Sequence, residues 1–433
     1  MTLALFAVLG LLGWAVWTTL QDTPTLSLLP TPLPGPTLTA SPTLTPSPGP
    51  FFETAQAGVI AQEAAAARSL MPRWETPLTL LDTHDLSVIL YHRYEAQPPF
   101  PLSDKETLQA LGLWPDEDLQ PDPVAQAKIA PALYFPEEGQ LYLRRDWSGP
   151  HDTMQMLIAY GYALTLPDQY GDLQRLREDS SSLDQRLALE ALSAGDALVT
   201  LARYRNVLPG SSEAAALLDK VAEATLPQWR GDAPILQRLS RLPLDLGRSF
   251  AVARYKTGGL PALDEAIRRP PPTTEQLLHP ERYSSGEPLS ALDAVSVSLG
   301  SRWTLTHTEN VGEALMTFTL AEWSQGTLTT TAEGWAGDLL QVWEGPEGKE
   351  IILWQTVWDS NSQAEAFATQ MEALMPGRIR ELRPNPTVPA KLSPGKWWTS
   401  RWGAALLQRR GSRVWLLWGT DTKTVQTLGG ALP

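Results

Sequence analysis

A proline tract decides where this chain can fold. From Asp22 to Pro50 it reads DTPTLSLLPTPLPGPTLTASPTLTPSPGP, with no charge after Asp22. Prolines at this density remove backbone donors and fix φ, so helix and sheet ladders are excluded and an extended spacer remains. Ahead of it, Leu3 to Leu20 carry no charge; as a helix they would span roughly 27 Å at about 1.5 Å per residue, close to a bilayer's hydrocarbon thickness. Residues 1–21 therefore read as a membrane anchor, with a cleaved signal peptide as the alternative, and 22–50 as a disordered stalk. A stalk of this kind behind a lone apolar helix places the remainder outside the cytoplasm, so the expected location is the cell membrane, single-pass. Folded structure is expected from Phe51 onward.

Charge and residue usage narrow the chemistry. The chain has 48 acidic and 34 basic residues, a formal charge of −14, with no basic run to bind phosphates. Nucleic acid is thereby an unsuitable partner. Cysteine is absent, which removes disulfides, thiolate metal sites and cysteine nucleophiles. The five histidines are His84, His92, His151, His279 and His307. No two are spaced to share one helical face, so a helix-borne pair of imidazole ligands is not available.

The folded part reads as α+β. Apolar residues at helical spacing mark a first helix before Pro72. Two short strands, Ala132 to Phe135 and Gln140 to Arg144, flank a turn at Pro136 to Gly139. Pro150 then suits the first turn of a buried helix that Pro167 is expected to stop. A second long helix starts at Ser182, whose hydroxyl forms a capping box with Gln185. Gly195 in its middle costs about 1 kcal/mol against alanine, so close packing is expected there. Eleven of the 17 tryptophans lie beyond Ser301. That region reads as a strand over Ile351 to Trp358, a helix over Ser362 to Leu374, and a hairpin of Ala404 to Gln408 with Arg413 to Trp418. Trp clusters can stack on sugars, but positions alternating along strands point to a core.

Four of these segments together resemble a family of bacterial extracytoplasmic zinc metallopeptidases of the HExxH, gluzincin-like type. Leu133 to Arg144 (LYFPEEGQLYLR) is similar to that family's "fYdpexgxlyvr" hairpin. Tyr160 to Leu173 aligns without gaps to HExxHALQDQxxDL. Ala191 to Ala197 (ALSAGDA) is similar to ALxEGDA, and Arg269 to Tyr283 (RPPPTTEQLLHPERY) is similar to PPxSTEQxLHPExY. Farther on, TAEGWAGD ending at Asp338 and WQTVWDSNSQAEAF ending at Phe367 resemble the domain that commonly follows. The resemblance implies a mainly helical metallopeptidase-like domain over 51–289 and a smaller Trp-rich α+β domain over 290–433.

It also implies where a zinc site would lie. The two imidazole positions hold Tyr160 and Leu164, the general-base position holds Gly161, and the third-ligand position holds Ala194. None of these can hold zinc or take a proton from its water, so no cofactor is expected and the former site should be packed core. Motif residues that remain are Asp168, Gln169, Asp172, Gly195, Asp196, His279 and Glu281. Asp168 with Gln169 and Gly195 with Asp196 are expected to lock the two helices together by hydrogen bonds. Thr273 is expected to cap a short helix with Gln276, which His279-Pro280 ends. His151-Asp152 at a helix start reads as exposed, with Asp152 favouring the positive helix end. The resulting expectation is an inactive pseudopeptidase that binds an extracytoplasmic protein, peptide or cell-wall component. The alternatives are a hydrolase with ligands relocated among His84, His92, His151 and His279, or a purely structural surface module.

Overall fold

The computed structural model describes residues 54–115, 119–326 and 332–433. The expected anchor (1–21) and stalk (22–50) lie outside the described residues. Among the described residues no helix is long and apolar enough to cross a membrane.

The chain is α+β, with helices gathered first and a large antiparallel sheet after them. Helix α1 (Thr54–Arg68) opens the fold where apolar spacing places it. Strand β1 (Leu78–Leu81), helix α2 (Thr83–Ala96), helix α3 (Leu102–Ala110) and helix α4 (Pro123–Ile129) follow. Then comes the hairpin of β2 (Ala132–Phe135) and β3 (Gln140–Arg144), with the bounds read from the sequence. β1 joins β3 in parallel, giving the order β1-β3-β2 and leaving β2 at an edge.

Helix α5 (His151–Gly171) runs past Pro167, where the sequence points to a stop. Proline removes one intrahelical bond, but tertiary anchoring keeps the last turn. Gln169 Oε1 accepts from Arg73 N–H at 2.7 Å, and Gln169 Nε2 donates to Trp74 O at 3.2 Å. After the short α6 (Leu173–Glu178) comes α7 (Leu183–Tyr204), capped by Ser182 Oγ accepting from Gln185 N–H at 3.2 Å. The reciprocal bond of the capping box goes one residue upstream, from Ser181 N–H to Gln185 Oε1 at 3.3 Å. Helix α8 (Ser212–Thr225) leads into α9 (Pro234–Arg268), which is broken by non-helical backbone at Gly258 and Gly259.

Gly195 explains itself in the crossing of α7 and α9. A Cβ there would lie 2.1 Å from Gly247 O, and a Cβ on Gly247 would lie 1.9 Å from Ala191 O. The two helices therefore touch backbone to backbone, and dispersion contacts along the seam replace the helix propensity that glycine forfeits.

Two short helices, α10 (Thr274–Leu278) and α11 (Pro280–Ser285), lead out of this layer. The rest is β4 (Thr304–Glu309), α12 (Gly312–Trp323), β5 (Trp335–Glu344), β6 (Glu350–Trp358), α13 (Asn361–Leu374), β7 (Arg383–Pro384), β8 (Lys396–Ser400), β9 (Gly403–Arg410), β10 (Arg413–Gly419) and α14 (Thr422–Gly429). The seven strands run β4-β5-β6-β10-β9-β8-β7, antiparallel throughout.

Alternation along these strands sorts the tryptophans onto two buried faces. Trp354, Trp398 and Trp418 lie in one hydrophobic cluster, and Trp343, Trp397 and Trp415 in another. The first cluster also contains Leu108, Leu111, Leu113, Trp229 and Leu236 from the helical part. One hydrophobic cluster thus draws residues from both sides of the 289/290 division, inside one compact unit, Pro50–Pro433. Because no side chain fits at the α7–α9 crossing, Gly195→Ala is expected to lower stability by at least ~1–3 kcal/mol. Urea denaturation checks this; an unchanged midpoint would mean that the helices can part without cost.

Candidate functional site

Where α5, α7 and the hairpin meet, the positions expected to be filled core instead line a cleft of about 640 Å³. Tyr160, Gly161 and Leu164 reach it from α5, Ala194 from α7, and all four residues of β2 from the hairpin. Tyr160 and Ala194 are buried, but Leu164 is only half-buried. The expectation of a packed site holds in part: Tyr160 and Ala194 belong to one buried hydrophobic cluster with Leu164 packed against it, and the cleft opens beside them. Small residues at 161 and 194 fail to fill the volume between two helices and a strand edge, and the surrounding backbone is held apart by contacts elsewhere.

The residues present do not fit a zinc ion. Tyr160 offers a phenol whose burial pushes its pKa up, away from the phenolate a metal would need. Leu164 and Ala194 offer hydrocarbon. A Cβ at Gly161 would lie 2.7 Å from Leu141 Cδ1, so a glutamate there would have to displace that side chain. Among the described residues no three His, Asp or Glu side chains gather in a way that could hold a metal ion. The histidines are dispersed. His84, His92 and His151 are exposed, His279 faces Glu313 at 3.0 Å, and His307 Nε2 lies 2.7 Å from Thr107 Oγ1. Asp152, beside His151, pairs with Arg205 at 2.5 Å.

The retained motif residues brace the scaffold around the cleft. Asp196 is fully buried and accepts from Arg68 Nε through both oxygens, at 2.9 and 3.0 Å, while Arg68 Nη2 lies 2.8 Å from Asp264 Oδ1. Asp168 Oδ1 accepts from Gln174 N–H at 2.6 Å and so secures the start of α6. Asp172 takes the left-handed conformation between α5 and α6 and pairs with Arg175 in solvent. These bonds run from α5 and α7 to α1, to the loop after it and to α6, and Arg68 of α1 carries the link on to α9. The expected lock between α5 and α7 themselves is not made by these side chains.

The long motif over 269–283 forms the joint between the helices and the sheet. Thr274 donates its N–H, at 3.1 Å, and its hydroxyl to Asp184 Oδ1 at the head of α7, and Ala314 N–H of α12 donates to Thr274 Oγ1 at 3.1 Å. Glu275 pairs with Arg282 at 2.6 Å, and Arg282 continues to Asp359 at 2.7 Å. Glu281 is exposed and lies 3.7 Å from His279 Nδ1. Thr273 makes no capping bond, contrary to expectation, and Gln276 instead donates to Glu287 O at 2.9 Å. On the sheet side, Asp338 accepts from Trp354 Nε1 at 2.7 Å and from Gly312 N–H at 3.2 Å. That bond joins the two carboxy-terminal motifs.

Burial dominates the carboxylates of this joint. It raises Asp184, Asp338 and Glu275 to about 7 and Glu313 to about 8, although Arg282 draws Glu275 and Glu313 back and Thr274 and Trp354 draw the two aspartates back.

One cleft residue gave no signal in the sequence. Glu190 lies on α7 four residues before Ala194, hence on the same helical face, and lines the cleft. Its side chain is exposed to solvent; desolvation by the neighbouring walls pushes its carboxyl up, and Arg177 and Arg186 draw it back. A glutamate on an amphipathic helix ordinarily reads as solvated surface; only its spacing from Ala194 could have marked it.

With the geometry in hand, comparison with known proteins adds one match. A family described as a domain of unknown function (DUF8575) matches residues 302–429, which span all seven strands of the large sheet but less than half of the chain. No curated protein and no solved structure is significantly similar.

The half-buried setting of Leu164 lets an introduced carboxylate reach the cleft, so Leu164→Glu is expected to cost no more than ~1–2 kcal/mol, against several for a sealed core. Thermal denaturation decides this, and a loss above ~4 kcal/mol would mean a closed wall. The joint carboxylates have folded-state pKa values above the ~4 of the unfolded chain, so the native state holds more protons between these values. Their contribution is full below pH ~4 and lost as pH rises through 7 to 8. The melting temperature should fall by at least ~2 °C between pH 5.5 and 8.5, and Asp338→Asn should flatten that slope. A melting temperature that rises over this range would contradict the assignment.

Proposed function

We propose that this protein is a membrane-anchored, extracytoplasmic pseudopeptidase, a metallopeptidase-like scaffold that binds a protein, peptide or cell-wall component in its cleft without hydrolysing it. The observation that carries the reading is the open cleft itself. A volume of about 640 Å³ lies where Tyr160, Gly161, Leu164 and Ala194 converge, in the size range of ligand-binding clefts.

Peptide hydrolysis of this type needs a metal to polarise the carbonyl and acidify water, with a carboxylate to take the proton. The cleft offers a buried phenol, a backbone without a side chain, an isobutyl group and a methyl group instead. What it keeps is suited to binding. β2 is an edge strand, and its free side can pair with an extended segment as a sheet pairs with its next strand.

The test is digestion of a broad peptide library by the full chain, with added zinc and with a chelator. No cleavage is expected under either condition. The fourfold variant Tyr160→His, Gly161→Glu, Leu164→His, Ala194→Glu is expected to bind zinc weakly at most, because the groups that would orient such ligands are engaged in bracing the helices. Chelator-sensitive cleavage by the unaltered protein would overturn the proposal.

A further inference from the structure

Three phenols line the cleft with hydroxyls that the protein itself leaves unused. Tyr94 comes from α2, Tyr134 from β2 and Tyr160 from α5. None of the three oxygens makes a hydrogen bond among the described residues, and none is sealed away from solvent. Burial of the rings pushes each phenol up, Tyr94 to about 12, so all three stay protonated and neutral. They share the cleft with an apolar wall that includes Phe135, Leu157 and Leu164.

The second observation is the charge balance of the same lining. Arg93, Arg177 and Arg186 are offset by Glu137, Glu178 and Glu190. Arg93 pairs with Glu137 at 2.8 Å, and Arg177 and Arg186 both act on Glu190 through their charge. An ion of either sign brought into the cleft gains an attracting group and meets a repelling one. Net charge therefore gives no ligand an advantage here, and the groups left to recognise one are the neutral hydroxyls.

We propose that the cleft takes an uncharged oligosaccharide, with the hydroxyls of Tyr94, Tyr134 and Tyr160 bonding to hydroxyls on the sugar rings. This inference rests on the binding reading above and names the ligand within it, a glycan rather than a polypeptide. A hydroxyl carries one donor and two acceptor sites, so a phenol and a sugar hydroxyl can satisfy each other in either direction. A pyranose ring also has C–H faces inside its rim of hydroxyls, and hydrocarbon walls cover such faces as they cover any apolar surface. A peptide laid along β2 bonds through its backbone to the strand edge instead. It would strip water from the phenols without replacing it, and a polar group left dry and unpaired weakens binding.

The experiment is isothermal titration calorimetry on the full chain, kept in a detergent without a sugar headgroup. The probes are three neutral tetrasaccharides, chitotetraose, cellotetraose and maltotetraose, and an end-blocked heptapeptide of alternating threonine and valine. At least one tetrasaccharide is expected to bind with a Kd below about 1 mM. Tyr134→Phe and Tyr160→Phe should each weaken it about fivefold, the loss of one hydrogen bond. Because these oxygens bond to nothing in the protein, neither change should move the melting temperature by more than about 1 °C. Leu164→Trp, which fills part of the cleft, should weaken the sugar as well. If the heptapeptide binds and no tetrasaccharide does, the glycan inference falls while the peptide form of the binding reading stands. If a tetrasaccharide binds but its affinity survives all three substitutions, it binds elsewhere and the inference falls. If none of the four probes binds, the inference and the binding reading fail together.

Discussion

Helix α7 is held by a contact that tolerates no side chain, the meeting of Gly195 with the backbone of Gly247. Because the two helices approach this closely, α7 sits deep in the helical layer with 16 of its 22 residues buried. Everything that matters to the cleft is referred to it. Its second half receives Arg68 from α1 through Asp196, its head receives Thr274 through Asp184, and between them Ala194 and Glu190 face the cleft. A buried guanidinium and carboxylate gain little net stability over apolar residues, but separating them strands a charge, so the pair fixes geometry more than it adds free energy.

This arrangement separates the face of each helix that lines the cleft from the face that braces it. On α7, Ala194 and Asp196 are about 200° apart around the helix axis, so one faces the cleft and the other the opposite side. Substitution at the cleft face leaves the bracing face intact. The same division holds on α5, where Tyr160 and Leu164 line the cleft while Gln169 ties the helix to the loop after α1. The best-kept motif, 269–283, touches the cleft nowhere; its hydrogen bonds join the helices to the sheet. That segment is constrained by the mechanics of a shared core, since moving one side of the joint would uncover Trp354 and Leu236 together.

The cleft survives for a related reason. A void between two helices closes only if the backbone can move inward, and here α7 is stopped against α9 while α5 is pinned at its end by Gln169. Small lining side chains therefore leave space rather than collapse, as in cores where substitution leaves residual volume. The space borders β2, the edge strand of the small sheet.

Much of the local structure was legible in order along the chain. The hairpin strands, the start of α7 at Ser182, the need for close packing at Gly195 and the carboxy-terminal strands follow from period, caps and turns, which are short-range properties. The sequence by itself also determined that no cysteine chemistry is available and that Gly161, Leu164 and Ala194 carry no group that could ligate zinc. Tertiary structure alone decided the rest, because each point turns on groups distant in the chain. Pro167 lies within a continuing helix because residues 73–74 hold the last turn, and the helices meet the large sheet because Leu111 and Trp354 share a core. Leu164 packs against the core cluster and also borders open space, and Glu190 faces the cleft from an exposed position, because packing elsewhere sets how near the walls can come.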